Sequence, residues 1–125
     1  MGQAKLPLDT YPYPRDPRSQ PIAPDIADGL YVYVQDAGGT IFVLPDGSHM
    51  HPRVLGNAAS ALYAGDLRID KSRIVDVTNL SGTFQFDDPQ GLLQVATQLE
   101  SLGFAIESGA VRFFPMDGSA PSILK

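Results

Sequence analysis

Gly29-Leu30-Tyr31-Val32-Tyr33-Val34-Gln35-Asp36-Ala37-Gly38-Gly39-Thr40-Ile41-Phe42-Val43-Leu44 reads as a β-hairpin in its residue types alone. Two β-branched and aromatic runs, Leu30–Val34 and Thr40–Leu44, flank Asp36-Ala37-Gly38-Gly39, which supplies turn chemistry. Pro45-Asp46-Gly47-Ser48 is the next turn, with Gly47 suited to a positive φ. A second strand pair follows, Ala61–Ile69 and Arg73–Thr78, joined through Asp70-Lys71-Ser72. In its second member Ile74, Asp76 and Thr78 alternate with Val75 and Val77, so one face is expected to be polar and one apolar.

One segment is helical by pattern, about 89–102. Asp87 or Asp88 can cap it, Pro89 suits its first turn, and Gly103 suits the position just past its end. Leu92, Val95, Ala96, Leu99 and Leu102 form one apolar stripe, which predicts Leu99 in the core. Gln90, Gln94, Gln98 and Ser101 lie elsewhere on the helix and are assigned no role. Strand signals return at Phe104–Glu107 and Ala110–Phe114, and Pro115 stops the second of these. The expected fold is therefore α+β: a mainly antiparallel sheet of about six strands with one packed helix. The strand order is not fixed by this pattern.

Upstream of the hairpin, residues 1–28 contain Pro7, Pro12, Pro14, Pro17, Pro21 and Pro24, six of the 11 prolines. Proline lacks an amide donor and biases its predecessor away from helix. An extended tail without a ladder of its own is expected, ahead of a single domain over residues 29–125. Removing the tail should leave the core fold intact. Tyr11-Pro12-Tyr13-Pro14 reads as a segment lying over the domain surface or as a ligand for a proline-binding partner.

Composition narrows function by exclusion. A chain of 125 residues, 43% hydrophobic and 18% charged, suits one globular domain. Its net charge is −5, with no basic stripe, so a nucleic-acid backbone is repelled on average. There is no cysteine, which excludes disulfides, thiolate catalysis and Cys-based zinc sites. The start of the chain lacks the apolar core of a signal peptide, and Lys5-Leu6 does not complete a myristoylation signal. No apolar run approaches the ~20 residues of a membrane span. A soluble, cytoplasmic protein is expected, with secretion by a route that needs no signal peptide compatible.

Groups able to bind or react concentrate in His49-Met50-His51-Pro52-Arg53, Tyr63-Ala64-Gly65-Asp66 and Thr78-Asn79-Leu80-Ser81-Gly82-Thr83. His49 and His51, the only histidines, would share one side of an extended chain. They could hold a metal with a further ligand such as Asp46 or Asp66, stabilise a turn, or act as a base or substrate contact. No metal and no cofactor is assigned. Asp66 lies in an apolar strand and should face solvent, cap a loop, or pair with Arg53 or Arg68. Asn79, Ser81 and Thr83 around Gly82 suit Asx or Ser/Thr turns, or a set of amides open to an anion. No nucleophile elbow, phosphate-binding loop or dinucleotide motif is present. The expected ligand-binding set is His49, His51, Arg53, Asp66, Asn79 and Ser81. His51, Asp66 and Ser81, expected to line one shared surface, are the candidates for catalysis.

His51, Leu55-Gly56, Ala64-Gly65-Asp66, Arg73-Ile74 and Asn79-Leu80-Ser81-Gly82, followed by the 89–102 helix and Gly103, resemble a small module of bacterial effector-like and polymorphic-toxin-like proteins. The resemblance spans roughly residues 41–104. Thr83-Phe84 stands where the module has His-Tyr, so no role for a second histidine carries over. It implies a bacterial origin and an effector or toxin setting. Two functions are thus expected. The first is a small module that binds a protein partner or small ligand. The second is an enzyme or toxin domain, with a nucleotide as a compatible substrate. Whether the chain is an enzyme stays open at this point, as does its oligomeric state.

Overall fold

The computed structural model describes residues 14–45, 54–56, 60–81, 86, 88–115 and 117–124. Among these described residues eight strands form one sheet: β1 (Gln20–Pro21), β2 (Gly29–Asp36), β3 (Ile41–Pro45), β4 (Ala61–Asp70), β5 (Arg73–Thr78), β6 (Ala105–Ile106), β7 (Val111–Phe113) and β8 (Ser122–Ile123). The sheet order is β1-β3-β2-β4-β5-β7-β8, with β6 pairing beside β5. The helix α1 (Pro89–Ser101) follows β5 in the chain. Pairing is antiparallel except where β5 meets β6 and β7. That parallel pairing follows from connectivity, because the chain crosses over through α1 before returning to the sheet. The α+β class, the packed helix over Pro89–Ser101 and the mainly antiparallel sheet agree with the sequence. The added strands, β1 and β8, are two residues each.

The helix begins and ends where its residue types dictate. The Asp88 carboxylate accepts from the Gly91 amide at 3.1 Å, and Pro89 occupies the first turn. At the other end the Gly103 amide donates to Glu100 O and the Phe104 amide to Leu99 O. Gly103 has φ 111°, the conformation this two-bond ending requires. Leu92, Val95, Ala96 and Leu99 are each fully buried against the sheet. Gly91 is unusual for a helix interior, since glycine there costs up to about 1 kcal/mol. A Cβ at that position would stand 2.5 Å from the Tyr63 ring, so glycine is what lets α1 approach β4.

Register places Tyr31, Tyr33 and Gln35 of β2 beside Leu67, Gly65 and Tyr63 of β4, on the face that receives α1. The opposite face carries Val32, Val34 and Leu44, each at most 1% exposed. They share one apolar cluster with Ile22 and Val54. Arg15 lies over the Phe42 ring at 4.8 Å, and its backbone packs so closely on Gly56 that a Cβ there would clash.

Two expectations need correction. Within the proline-rich segment, Gln20 pairs with Val43 and Pro21 with Phe42. Proline is tolerated there because β1 is an edge strand. Ile22 enters the core and its amide donates to Ile41 O. Ser19 Oγ donates to Val54 O, Ser72 Oγ to Pro24 O, and the Lys71 amide to the Asp28 carboxylate. The second half of the tail is thus integral to the packing.

The second correction concerns β5. Arg68 opposes Asp76, but Ile69 opposes Ile74, leaving Val75 as the extra residue of a β-bulge. The bulge moves Ile74 off the Asp76 face and into the core with Val77, and both are fully buried. Among the described residues no helix is long and apolar enough to cross a membrane.

Candidate functional site

Of the expected site residues, His49, His51 and Arg53 lie outside the described residues, as do Gly82 and Thr83. The structure brings the neighbourhoods of Asp66 and Asn79 together at the end of β5. The Asp66 amide donates to Thr78 Oγ1 at 3.2 Å, and the Leu80 amide donates to the same oxygen at 3.1 Å. Asp66 stands opposite Val32 in the register, half-buried, and Ser81 follows Asn79 in a half-buried position.

Asn79 is 5% exposed, and its amide is fully engaged. Nδ2 donates to Phe86 O and Phe114 O, both at 2.9 Å, and Oδ1 accepts from the Phe114 amide at 2.8 Å. It therefore ties the end of β5 to the end of β7 and to the approach to α1. Gly65 belongs to the same junction. A Cβ there would lie 1.8 Å from Thr78 O, so the backbone of β5 crosses directly against it. Tyr33, across from Gly65, donates its hydroxyl to Thr78 O at 2.7 Å. Burial pushes the Tyr33 phenol well above its ordinary range, with Tyr63 and the Asp66 carboxylate adding to the effect. In this arrangement Gly65 and Asn79 fasten strands together.

A cavity of about 410 Å³ opens elsewhere, between the β2–β3 turn and the polar flank of α1. Its walls are built by local rules. Asp36 Oδ1 accepts from the Gly38 and Thr40 amides, an Asx-type arrangement that shapes the turn Ala37–Gly39. On β4 the register slips, with Gln35 opposite Tyr63 but Asp36 opposite Ala61. Leu62 is left as a bulge at the cavity rim. Tyr63 stacks on Phe86 at 4.8 Å and donates its hydroxyl to Asp88 O. The helix contributes Gly91, Gln94 and Gln98.

The polar groups of the cavity form an ordered ladder. Gln35 Nε2 donates to Gln98 Oε1 at 2.8 Å, and Gln98 Nε2 donates to Gly39 O at 2.7 Å. Among the described residues Asp88 is the sole formal charge in the lining. The sequence held a signal for this cleft: Gln94 and Gln98 are one helical turn apart and share a face. The apolar stripe of α1 is the stronger sequence signal and lies on the other side of the helix.

A broader, more open depression of about 500 Å³ lies between Gly29, Leu30, Arg68, Asp70, Val75 and Glu107. Among the described residues no group of three or more His, Asp or Glu side chains is placed to hold a metal. No family model, curated protein or solved structure matches this chain.

Proposed function

We propose that this domain is a binding module and that the cleft between the β2–β3 turn and α1 is its recognition site. The observation that carries this reading is the lining itself. Gln35, Gln94 and Gln98 present carboxamides, which hydrogen-bond well but do not exchange protons near neutral pH. The Tyr63 hydroxyl is committed to Asp88 O, and one Asp88 oxygen to the helix cap. A concave site with a few convergent polar groups on rigid elements is suited to holding a ligand in one orientation. The resemblance read in the sequence supports a bacterial effector or toxin setting, in which the protein acts as a soluble partner-binding component in the cytoplasm.

The test is a titration followed through backbone and side-chain amide resonances, using a set of small amides, amines and polyols. Saturable shifts clustered at Gly38, Gly39, Gly91, Gln94 and Gln98 are expected. Shifts clustered instead around Asp66 and Ser81, or none anywhere, would remove the cleft from consideration.

A further inference from the structure

The direction of the glutamine ladder is fixed by the backbone. Gly39 O can only accept, so Gln98 must turn Nε2 toward it. Oε1 of Gln98 is then left facing Gln35, which must answer with its own Nε2. Gln35 Oε1 becomes the outer end of the ladder, and it is an acceptor. Neither glutamine can flip alone without setting oxygen against oxygen.

The second fixed polar group in the lining, the Asp88 carboxylate, also only accepts. One of its oxygens holds the Gly91 amide, and the pair carries a full negative charge at an exposed position. Gln94 can present either a donor or an acceptor, and Gln35 Nε2 and Gln98 Nε2 each keep a second N–H. Among the described residues no Lys, Arg or His lines the cavity, and the whole chain carries net charge −5. A phosphate or carboxylate entering would meet the Asp88 charge with no basic side chain in the described lining to offset it. A donor-rich cation would meet complementary groups and long-range attraction.

We infer that the cleft takes an organic cation, an alkylammonium group, held between Gln35 Oε1 and the Asp88 carboxylate. This rests on the cleft being the recognition site. The same group occurs on free polyamines and on lysine side chains of proteins.

The experiment uses the full chain and five probes: butylammonium, butyramide, inorganic phosphate and, in a second stage, spermidine against an acetylated Gly-Lys-Gly amide. Resonances of Gly38, Gly39, Gln94 and Gln98 should shift saturably with butylammonium, more weakly with butyramide, and not with phosphate. Asp88→Asn keeps a good helix cap, so the fold is retained. It should weaken butylammonium binding about fivefold, the scale of one exposed charge contact, and affect butyramide less. Butyramide binding as tightly as butylammonium, or Asp88→Asn leaving butylammonium unaffected, would overturn the cation inference while the cleft stands as a site. Silence from every probe would sink both. In the second stage, tighter binding of spermidine identifies a free polyamine and tighter binding of the peptide a lysine side chain; either supports the ammonium chemistry.

Discussion

Replacing Gly65 with alanine adds one carbon and should cost more than most core truncations. The added Cβ would lie 1.8 Å from Thr78 O, 2.6 Å from Thr78 C and 3.0 Å from Asn79 Cα. All three are backbone atoms, so no side-chain rotation relieves the clash. The gap to Thr78 O has to grow by about 1.6 Å to reach ordinary contact at 3.4 Å. The end of β5 resists that movement. Thr78 O holds the buried Tyr33 hydroxyl, Thr78 Oγ1 holds the Asp66 amide, and Asn79 is tied by three hydrogen bonds. Forced overpacking costs about 1–3 kcal/mol. Stretching the Tyr33 bond beyond its 2.7 Å adds up to ~1–3 kcal/mol. Alanine returns about 0.4–1 kcal/mol by restricting the unfolded chain. The net expectation is a loss of roughly 2–5 kcal/mol, a large part of the ~5–15 kcal/mol that holds a small domain folded. Urea titration measures it. Gly38→Ala is the control, since its Cβ would meet only Asp36 Oδ1 at 3.4 Å; it should stay within about 0.5 kcal/mol of the parent. A Gly65→Ala midpoint equal to or above the parent's, at unchanged slope, would refute the close approach of β4 and β5.

Asn79→Ala removes the acceptor of the half-buried Phe114 amide and the Nδ2 donor shared by Phe86 O and Phe114 O, so a loss of roughly 3 kcal/mol is expected in the same titration. Leu99→Ala empties a fully buried position on α1 and should cost about 2–5 kcal/mol; a loss under ~1 kcal/mol would contradict the helix face. Tyr33 gives a pH dependence. Its folded phenol ionises well above the ordinary 10.0, so stability is fully present below pH 10 and falls as pH rises beyond it, because the unfolded chain gives up that proton first. Tyr33→Phe should flatten that alkaline fall, measured as unfolding midpoint against pH. A chain beginning at Asp28 loses Ile22 from the core along with the Ser19–Val54 and Ser72–Pro24 bonds. Its Tm should drop by more than about 10 °C, the effect of ~2 kcal/mol on a domain of this size.

The elements that were legible in the sequence are those whose signal is local. The β2–β3 hairpin and the β4–β5 pair announced themselves by β-branched runs between turn residues, and α1 by Asp88, Pro89 and Gly103. The features that escaped depend on what lies across a gap. Ile74, Asp76 and Thr78 alternate as a flat strand would, and only pairing with β4 reveals that Val75 is surplus. Gln20-Pro21 is too short for any periodicity, and its pairing is decided by the free edge of β3. Asn79 is a ligand-binding candidate in the sequence, and Gly65 neighbours another in Asp66, because glycine beside small polar groups builds binding loops and strand junctions alike. The distinction lies in the neighbouring backbone: Thr78 O stands against Gly65, and Phe114 against Asn79.

The cleft has a different origin, in two anchor points on one helix. The N-terminal turn of α1 is drawn onto β4, where Gly91 admits the Tyr63 ring and the Tyr63 hydroxyl holds Asp88 O. Almost two turns later, Gln98 fastens the same helix to the β2–β3 turn through Gly39 O. Gln94 lies between these points and faces the gap they define. The hairpin turn is itself braced from within, by Asp36 Oδ1 on the Gly38 and Thr40 amides. Both walls are thus set by bonds to backbone atoms rather than by contacts a ligand would have to make. A ligand then pays little to order its site, which is the condition under which a few fixed acceptors yield selectivity. The ladder adds direction to that rigidity, because a carbonyl at one end of a chain of carboxamides dictates the atom offered at the other.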